Sequence, residues 1–113
     1  MIYLPVTLFA IAAVGGLTMV IIKYGGKAIP LPLAALHGIF AAAGLVALIY
    51  NVAQNTSNSI MNVSLILFLI VAVGGFILLS FHLRGGKHPD SLIAIHGSGA
   101  VISFALLLVA SFR

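Results

Sequence analysis

AIPLPLAALHGIFAAAGLVALIYNVAQNTSNSIMNVSLILFLIVAVGGFILLSFHL, residues 28 to 83, contains no lysine, arginine, aspartate or glutamate. A spanning helix needs about 20 apolar residues, so this stretch holds two of them around a polar middle segment. Residues 1 to 22 and 91 to 112 are equally free of formal charge. The predicted spans are therefore 3–22, 31–50, 61–82 and 91–112. Backbone groups in lipid must be satisfied within the segment, which makes each span a helix. Barrel strands would alternate polar and apolar residues, and no part of the chain does so.

Composition points the same way. Of 113 residues, 63% are hydrophobic and 5% charged, against roughly 25% charged in a soluble domain. A chain this short has too much surface for burial alone to explain that deficit. The expected solvent is lipid, and the expected fold is an all-α, four-transmembrane-helix bundle. The first span has no basic start and is too long for a signal-peptide core, so it reads as a retained helix. The absence of cysteine excludes disulfides and thiolate-bound clusters. The net charge of +4 is no nucleic-acid signal, because the cations stand at helix ends.

An internal repeat organises the chain. Ala13-Val14-Gly15-Gly16 recurs as Ala72-Val73-Gly74-Gly75 and His37-Gly38 as His96-Gly97, both 59 residues on, while Gly25-Gly26-Lys27 recurs 60 residues on as Gly85-Gly86-Lys87. Repeat one covers 1–53 and repeat two 60–113. Each copy reads as a helix with a Gly-Gly pair, a short basic loop, and a helix carrying His-Gly. Parallel repeats of this kind are related by a pseudo-twofold axis along the membrane normal. Lys23 and Lys27 fall in loop 1, Arg84 and Lys87 in loop 3, and Arg113 alone at the far side. The positive-inside rule then puts loops 1 and 3 in the cytoplasm of a bacterial inner membrane, with both termini and the Asn51–Ser59 loop outside. Pro30 and Pro32 suit a helix start. Asn58 or Ser59 is expected to cap the third helix, and Asp90 or Ser91 the fourth. Asn55-Thr56-Ser57 and Asn62-Val63-Ser64 match the glycosylation pattern, by chance in so short a loop.

Chemistry is sought among four histidines. His88 lies in loop 3 and His82 in the last turn of the third helix, where interfacial roles are ordinary. His37 and His96 lie roughly 10 Å inside their helices, and polar side chains at such depth usually face the bundle interior. The Gly15-Gly16 and Gly74-Gly75 pairs fall at the same level, where missing side chains leave space or let a backbone approach. Two neutral imidazoles across a bundle beside glycine suit axial ligation of a haem iron. Lys27, Arg84 and Lys87 stand where they could meet haem propionates. The other reading is structural: small residues four apart, such as Ala34, Gly38 and Ala42, are ordinary helix-packing surfaces, and a buried histidine can simply bond to a carbonyl or a partner subunit. Such a protein would be a non-catalytic accessory or assembly subunit of a larger membrane complex, or a homodimer. Quinone or lipid binding, ion conduction and metal binding complete the alternatives. No paired carboxylate, phosphate loop or oriented nucleophile supports hydrolytic chemistry.

Gly74-Gly75, His82-Leu83-Arg84-Gly85-Gly86-Lys87 and His96-Gly97 resemble the pattern of small bacterial four-helix membrane proteins, and are similar in pattern to transmembrane b-type cytochromes. The resemblance covers the third and fourth helices best and the first two as a weaker copy. It implies haem b held between His37 and His96, with His82 as the substitute ligand, and electron transfer as the function. No histidine lies near the opposite face, so one haem per chain is the most it implies.

Overall fold

A computed structural model describes residues 3–54 and 58–112. It contains four helices: α1 (Tyr3–Tyr24), α2 (Leu31–Gln54), α3 (Ser59–Leu83) and α4 (Asp90–Ser111). At about 1.5 Å per residue each exceeds the roughly 30 Å of a bilayer core. All four are long and apolar enough to cross a membrane. α1 packs along α2 and α3 along α4. The two hairpins meet through α2 with α3 and α1 with α4, leaving α1/α3 and α2/α4 across the diagonals.

The helix ends follow local chemistry. α1 ends at Gly26, where φ is +83°, with Gly26 N–H donating to Lys23 O and Lys27 N–H to Ile22 O. α3 ends at Gly85, where φ is +70°, with Gly85 N–H donating to His82 O and Gly86 N–H to Phe81 O. Glycine adopts this left-handed conformation without a Cβ penalty. Every partner in the second turn lies 59 residues after its counterpart in the first. The turns are therefore in register at 59, not at the 60 suggested by matching the Gly-Gly-Lys strings.

Two boundaries differ from expectation. The middle connection is shorter than Asn51–Ser59, because α2 continues through a buried Asn51 to Gln54 and α3 begins at Ser59. Asn58 is the cap: its Oδ1 accepts from Met61 N–H at 3.1 Å, and its Nδ2 donates to Ala110 O at 3.2 Å. Neither Asp90 nor Ser91 caps α4; Pro89 occupies the cap position without a side-chain bond. The Asp90 carboxylate instead accepts from Tyr24 Oη at 2.8 Å and pairs with Lys23 Nζ at 3.4 Å. The Asn55-Thr56-Ser57 string lies outside the described residues. Ser64 of the second glycosylation string is buried and donates to Ser103 O at 2.8 Å.

Packing is graded along the bundle. Phe9, Leu48, Met61, Phe68, Leu107 and Ala110 form one buried cluster. Phe9 and Phe68 bridge the α1/α3 diagonal as stacked rings, 3.9 Å apart and 1° from parallel. Leu48 and Leu107 expose nothing. Among the described residues, none between 13 and 43 or between 69 and 102 is buried. The bundle is close-packed in the half that holds the middle connection and looser towards loops 1 and 3. The stripe Ala34, Gly38, Ala42 does not serve a helix contact within the chain: a Cβ at Gly38 would meet nothing within 4 Å.

The grading makes a direct comparison available. A Cβ at Gly44 would sit 3.1 Å from two Phe9 ring atoms, and that ring is held by its stack on Phe68. Gly38→Ala and Gly44→Ala bring the same gain in helix propensity, so their difference reports packing. Gly44→Ala should be less stable than Gly38→Ala by about 1–3 kcal/mol, measured as unfolding in detergent followed by circular dichroism. Equal stabilities would show that the phenyl stack is not rigid.

Candidate functional site: a clamped imidazole pair

An α-helix carbonyl points towards the C-terminus, while Cβ atoms tilt back towards the N-terminus. The side chains three and four residues later therefore cover each carbonyl. In α1, the residues three and four after Ala12 are Gly15 and Gly16; in α3, those after Val71 are Gly74 and Gly75. Both carbonyls are laid bare to a neighbouring helix, and both are used. His37 Nδ1 lies 2.7 Å from Ala12 O, and His96 Nδ1 lies 2.9 Å from Val71 O.

A carbonyl oxygen can only accept, so Nδ1 carries the proton on each ring. In the neutral imidazole this leaves Nε2 as the nitrogen with a free lone pair. The bond also orients the ring and contributes about 0.5–1.5 kcal/mol net. The glycine pairs are occupied by the imidazoles themselves. A Cβ on Gly16 would lie 3.1 Å from His37 Cε1, and one on Gly75 would lie 3.0 Å from His96 Cε1. Cβ atoms on Gly15 and Gly74 would meet their histidines at 3.5 and 3.6 Å, ordinary contact distances.

The two half-buried rings face each other across the α2/α4 diagonal, with centroids 6.3 Å apart and planes at 76°. Phe9 is three residues from Ala12 on α1, so the phenyl stack lies about 4.5 Å along the axis from the imidazole level. Beside His96, a groove of about 150 Å³ runs between α3 and α4, lined by Val71, Gly74, Gly99 and apolar side chains.

Towards loops 1 and 3 lies a second, more polar cavity of about 380 Å³, lined by Lys23, Lys27, His82, Lys87 and His88 together with turn residues. The His82 and His88 rings are 5.3 Å apart. Burial, then the nearby charges of His82 and Lys23, hold the His88 pKa below the usual histidine value. The folded protein therefore favours neutral His88, and protonating it as the pH falls through that range costs stability. Of the three cations expected around propionates, Lys27 and Lys87 line this cavity. Arg84 does not: it donates to Ser80 O at 3.2 Å and Ser80 Oγ at 3.1 Å, and lies over the Phe81 ring. His82 belongs to the cavity with His88, whereas His37 pairs with His96. Among the described residues, no three metal-ligating side chains come together.

Sequence reasoning singled out both histidines and both glycine pairs, and allowed a bond from a buried histidine to a carbonyl, but did not identify which carbonyls accept. Ala12 and Val71 contribute through backbone, and no side-chain chemistry marks them. The available signal was positional: two consecutive glycines uncover the carbonyl three and four residues earlier.

The clamp predicts an asymmetry between adjacent glycines. ¹⁵N spectra of histidine-labelled protein should show His96 as the Nδ1–H tautomer in the wild type and in Gly74→Ala, with that state lost in Gly75→Ala. Alanine raises helix propensity by about 1 kcal/mol, so melting temperature is the poorer readout. Unchanged His96 signals in Gly75→Ala would remove the glycine pair from the clamp. Comparison with protein families, with curated proteins and with solved structures returned no match.

Proposed function

We propose that this chain is a bacterial inner-membrane protein that holds one b-type haem between His37 and His96 and takes part in electron transfer. The supporting observation is the imidazole pair: two rings in equivalent surroundings, each fixed through Nδ1 to a helix carbonyl, facing one another at 6.3 Å. Metal-bound histidines almost always donate their other ring N–H to a carbonyl, carboxylate or water, which sets the tautomer and raises ligand basicity. With Nδ1 of each ring bonded to a carbonyl, Nε2 of each is the nitrogen left as a metal donor. The donor set thus fits the group. A haem held by His37 and His96 would supply one-electron redox chemistry.

The chain's own part is to bind and orient. Ala12 O and Val71 O hold the rings, the glycines admit them, and the Phe9–Phe68 stack keeps the adjoining layer apolar. The tandem-hairpin reading draws support from pairs 59 residues apart that occupy matching places: Phe9 with Phe68, His37 with His96, Leu48 with Leu107, and Gly26 with Gly85. The excess of Lys23, Lys27, Arg84 and Lys87 over Arg113 supports cytoplasmic placement of loops 1 and 3.

A second reading has its own observation. Gly38 and Gly97 are exposed, and a Cβ on either would meet nothing within 4 Å. Small residues on an outer helix face allow close approach of another membrane helix, as an accessory subunit or a homodimer would need. Native electrophoresis of detergent extracts tests it: a lone monomer, unchanged by Gly38→Leu, would remove it.

Visible spectroscopy tests the haem directly. The purified protein, supplemented with haem, should show a Soret band and, after dithionite, the sharp α band of a six-coordinate b haem. His37→Ala and His96→Ala should each abolish the six-coordinate spectrum. Gly16→Ala or Gly75→Ala should weaken haem retention about 10–100-fold, the usual effect of losing a ligand's hydrogen-bond partner. A colourless protein after supplementation would overturn the proposal.

A further inference from the structure

We propose that the cavity between loops 1 and 3 binds a phosphate group carrying two negative charges, at the level of the lipid headgroups. Lys23 enters it from the last turn of α1, Lys27 from loop 1, Lys87 and His88 from loop 3, and His82 from the end of α3. Each half of the chain supplies cations to one space, and the ion pair of Lys23 with Asp90 joins the two halves beside it.

Charge complementarity specifies the ligand. Three lysines line the cavity, and only Lys23 has a carboxylate partner, Asp90 at 3.4 Å. Two positive charges are left uncompensated, which a dianionic phosphate balances and a zwitterionic headgroup does not. His82 and His88, with ring centroids 5.3 Å apart, each add a ring N–H donor. The turn glycines contribute as well. Because Gly26 and Gly85 reverse the chain with positive φ, the segments after them run along the cavity wall. The N–H groups of Ala28, Ile29, Lys87 and His88 find no backbone acceptor among the described residues. Backbone N–H groups left without an acceptor in a cavity wall can complete an anion cradle beside lysines. Arg84 is excluded by its bonds to Ser80.

Basic pockets between transmembrane helices at the cytoplasmic side are suited to phosphate-bearing headgroups. The lipid source rests on the membrane reading above. The site itself does not rest on the imidazole pair.

The test is native mass spectrometry of delipidated, haem-free protein in uncharged detergent, titrated with phosphatidic acid, phosphatidylcholine and inorganic phosphate. One phosphatidic acid should bind per chain, and phosphatidylcholine should not be retained. Lys87→Gln should weaken binding about fivefold and Lys27→Gln with Lys87→Gln roughly twenty-five-fold, while Arg84→Gln leaves it unchanged. Displacement of the lipid by inorganic phosphate assigns the site to a free phosphate ligand; lipid binding that phosphate cannot displace assigns it to a headgroup. A His37→Ala, His96→Ala double variant should bind normally, which separates this site from the haem proposal. Absence of binding, equal retention of phosphatidylcholine, or an Arg84→Gln loss equal to that of Lys87→Gln would overturn it. Circular dichroism of each variant excludes loss of fold as the cause.

Discussion

A helix carbonyl already engaged in its own ladder accepts a second hydrogen bond, from an imidazole of the neighbouring helix, and the rest of this bundle is arranged around that contact. Such a carbonyl is normally hidden under the side chains one turn on. The tight position is the second glycine of each pair, Gly16 or Gly75, where a Cβ would press on the imidazole at 3.1 or 3.0 Å, and each glycine inside a helix costs about 1 kcal/mol relative to alanine. The chain carries that cost twice, at Gly15-Gly16 and at Gly74-Gly75. A histidine at such depth without a partner would cost more, because a polar group in an apolar surrounding loses its water. The glycines, the carbonyls and the imidazoles are therefore one unit, and none of the three makes sense alone.

The packing gradient follows from that unit. Rings meeting across the α2/α4 diagonal set the spacing of the hairpins at the imidazole level. A layer away, the stacked phenyls close the other diagonal, with Gly44 letting Phe9 seat against α2. Past the phenyls, Leu48 and Leu107 fill the centre and Ser64 ties α3 to α4 through the Ser103 carbonyl. Towards loops 1 and 3 no comparable side chains meet, so the hairpins are held there by Asp90 with Lys23 and Tyr24. Close packing on one side and an ion pair on the other leave the intervening space open to polar side chains.

Much of this was legible before any coordinates. Four uncharged stretches mark the four helices, each long and apolar enough to cross a membrane. The depth match between His37, His96 and the glycine pairs followed from counting residues along regular helices. What escaped was whatever depends on lateral packing. Asn51 reads as a loop residue by type, yet it is buried in α2 because its neighbours Leu48 and Val52 still have a core to join. Asp90 reads as a helix cap, but a lysine and a tyrosine from α1 reach its carboxylate first. Arg84 and Lys87 are indistinguishable by charge; only the Ser80 hydroxyl one turn back decides that Arg84 turns away. The Gly-Gly-Lys strings align by identity at 60, whereas the backbone aligns Gly26 with Gly85 at 59, since the turn is defined by φ and not by residue names.

The two ends of the bundle are consequently not equivalent with respect to the histidines. On one side, parallel phenyl rings 3.9 Å apart and two fully buried leucines fill the centre of the bundle. On the other, the cavity lined by lysines and imidazoles lies between the histidine level and the loops. All three lysines of the chain line that cavity, so any charge that forms near His37 and His96 is felt there first. An anion in that cavity would offset the uncompensated lysines and favour positive charge at the imidazole level. A phosphate bound at the mouth and a metal ion bound below it would then bind each more tightly in the presence of the other.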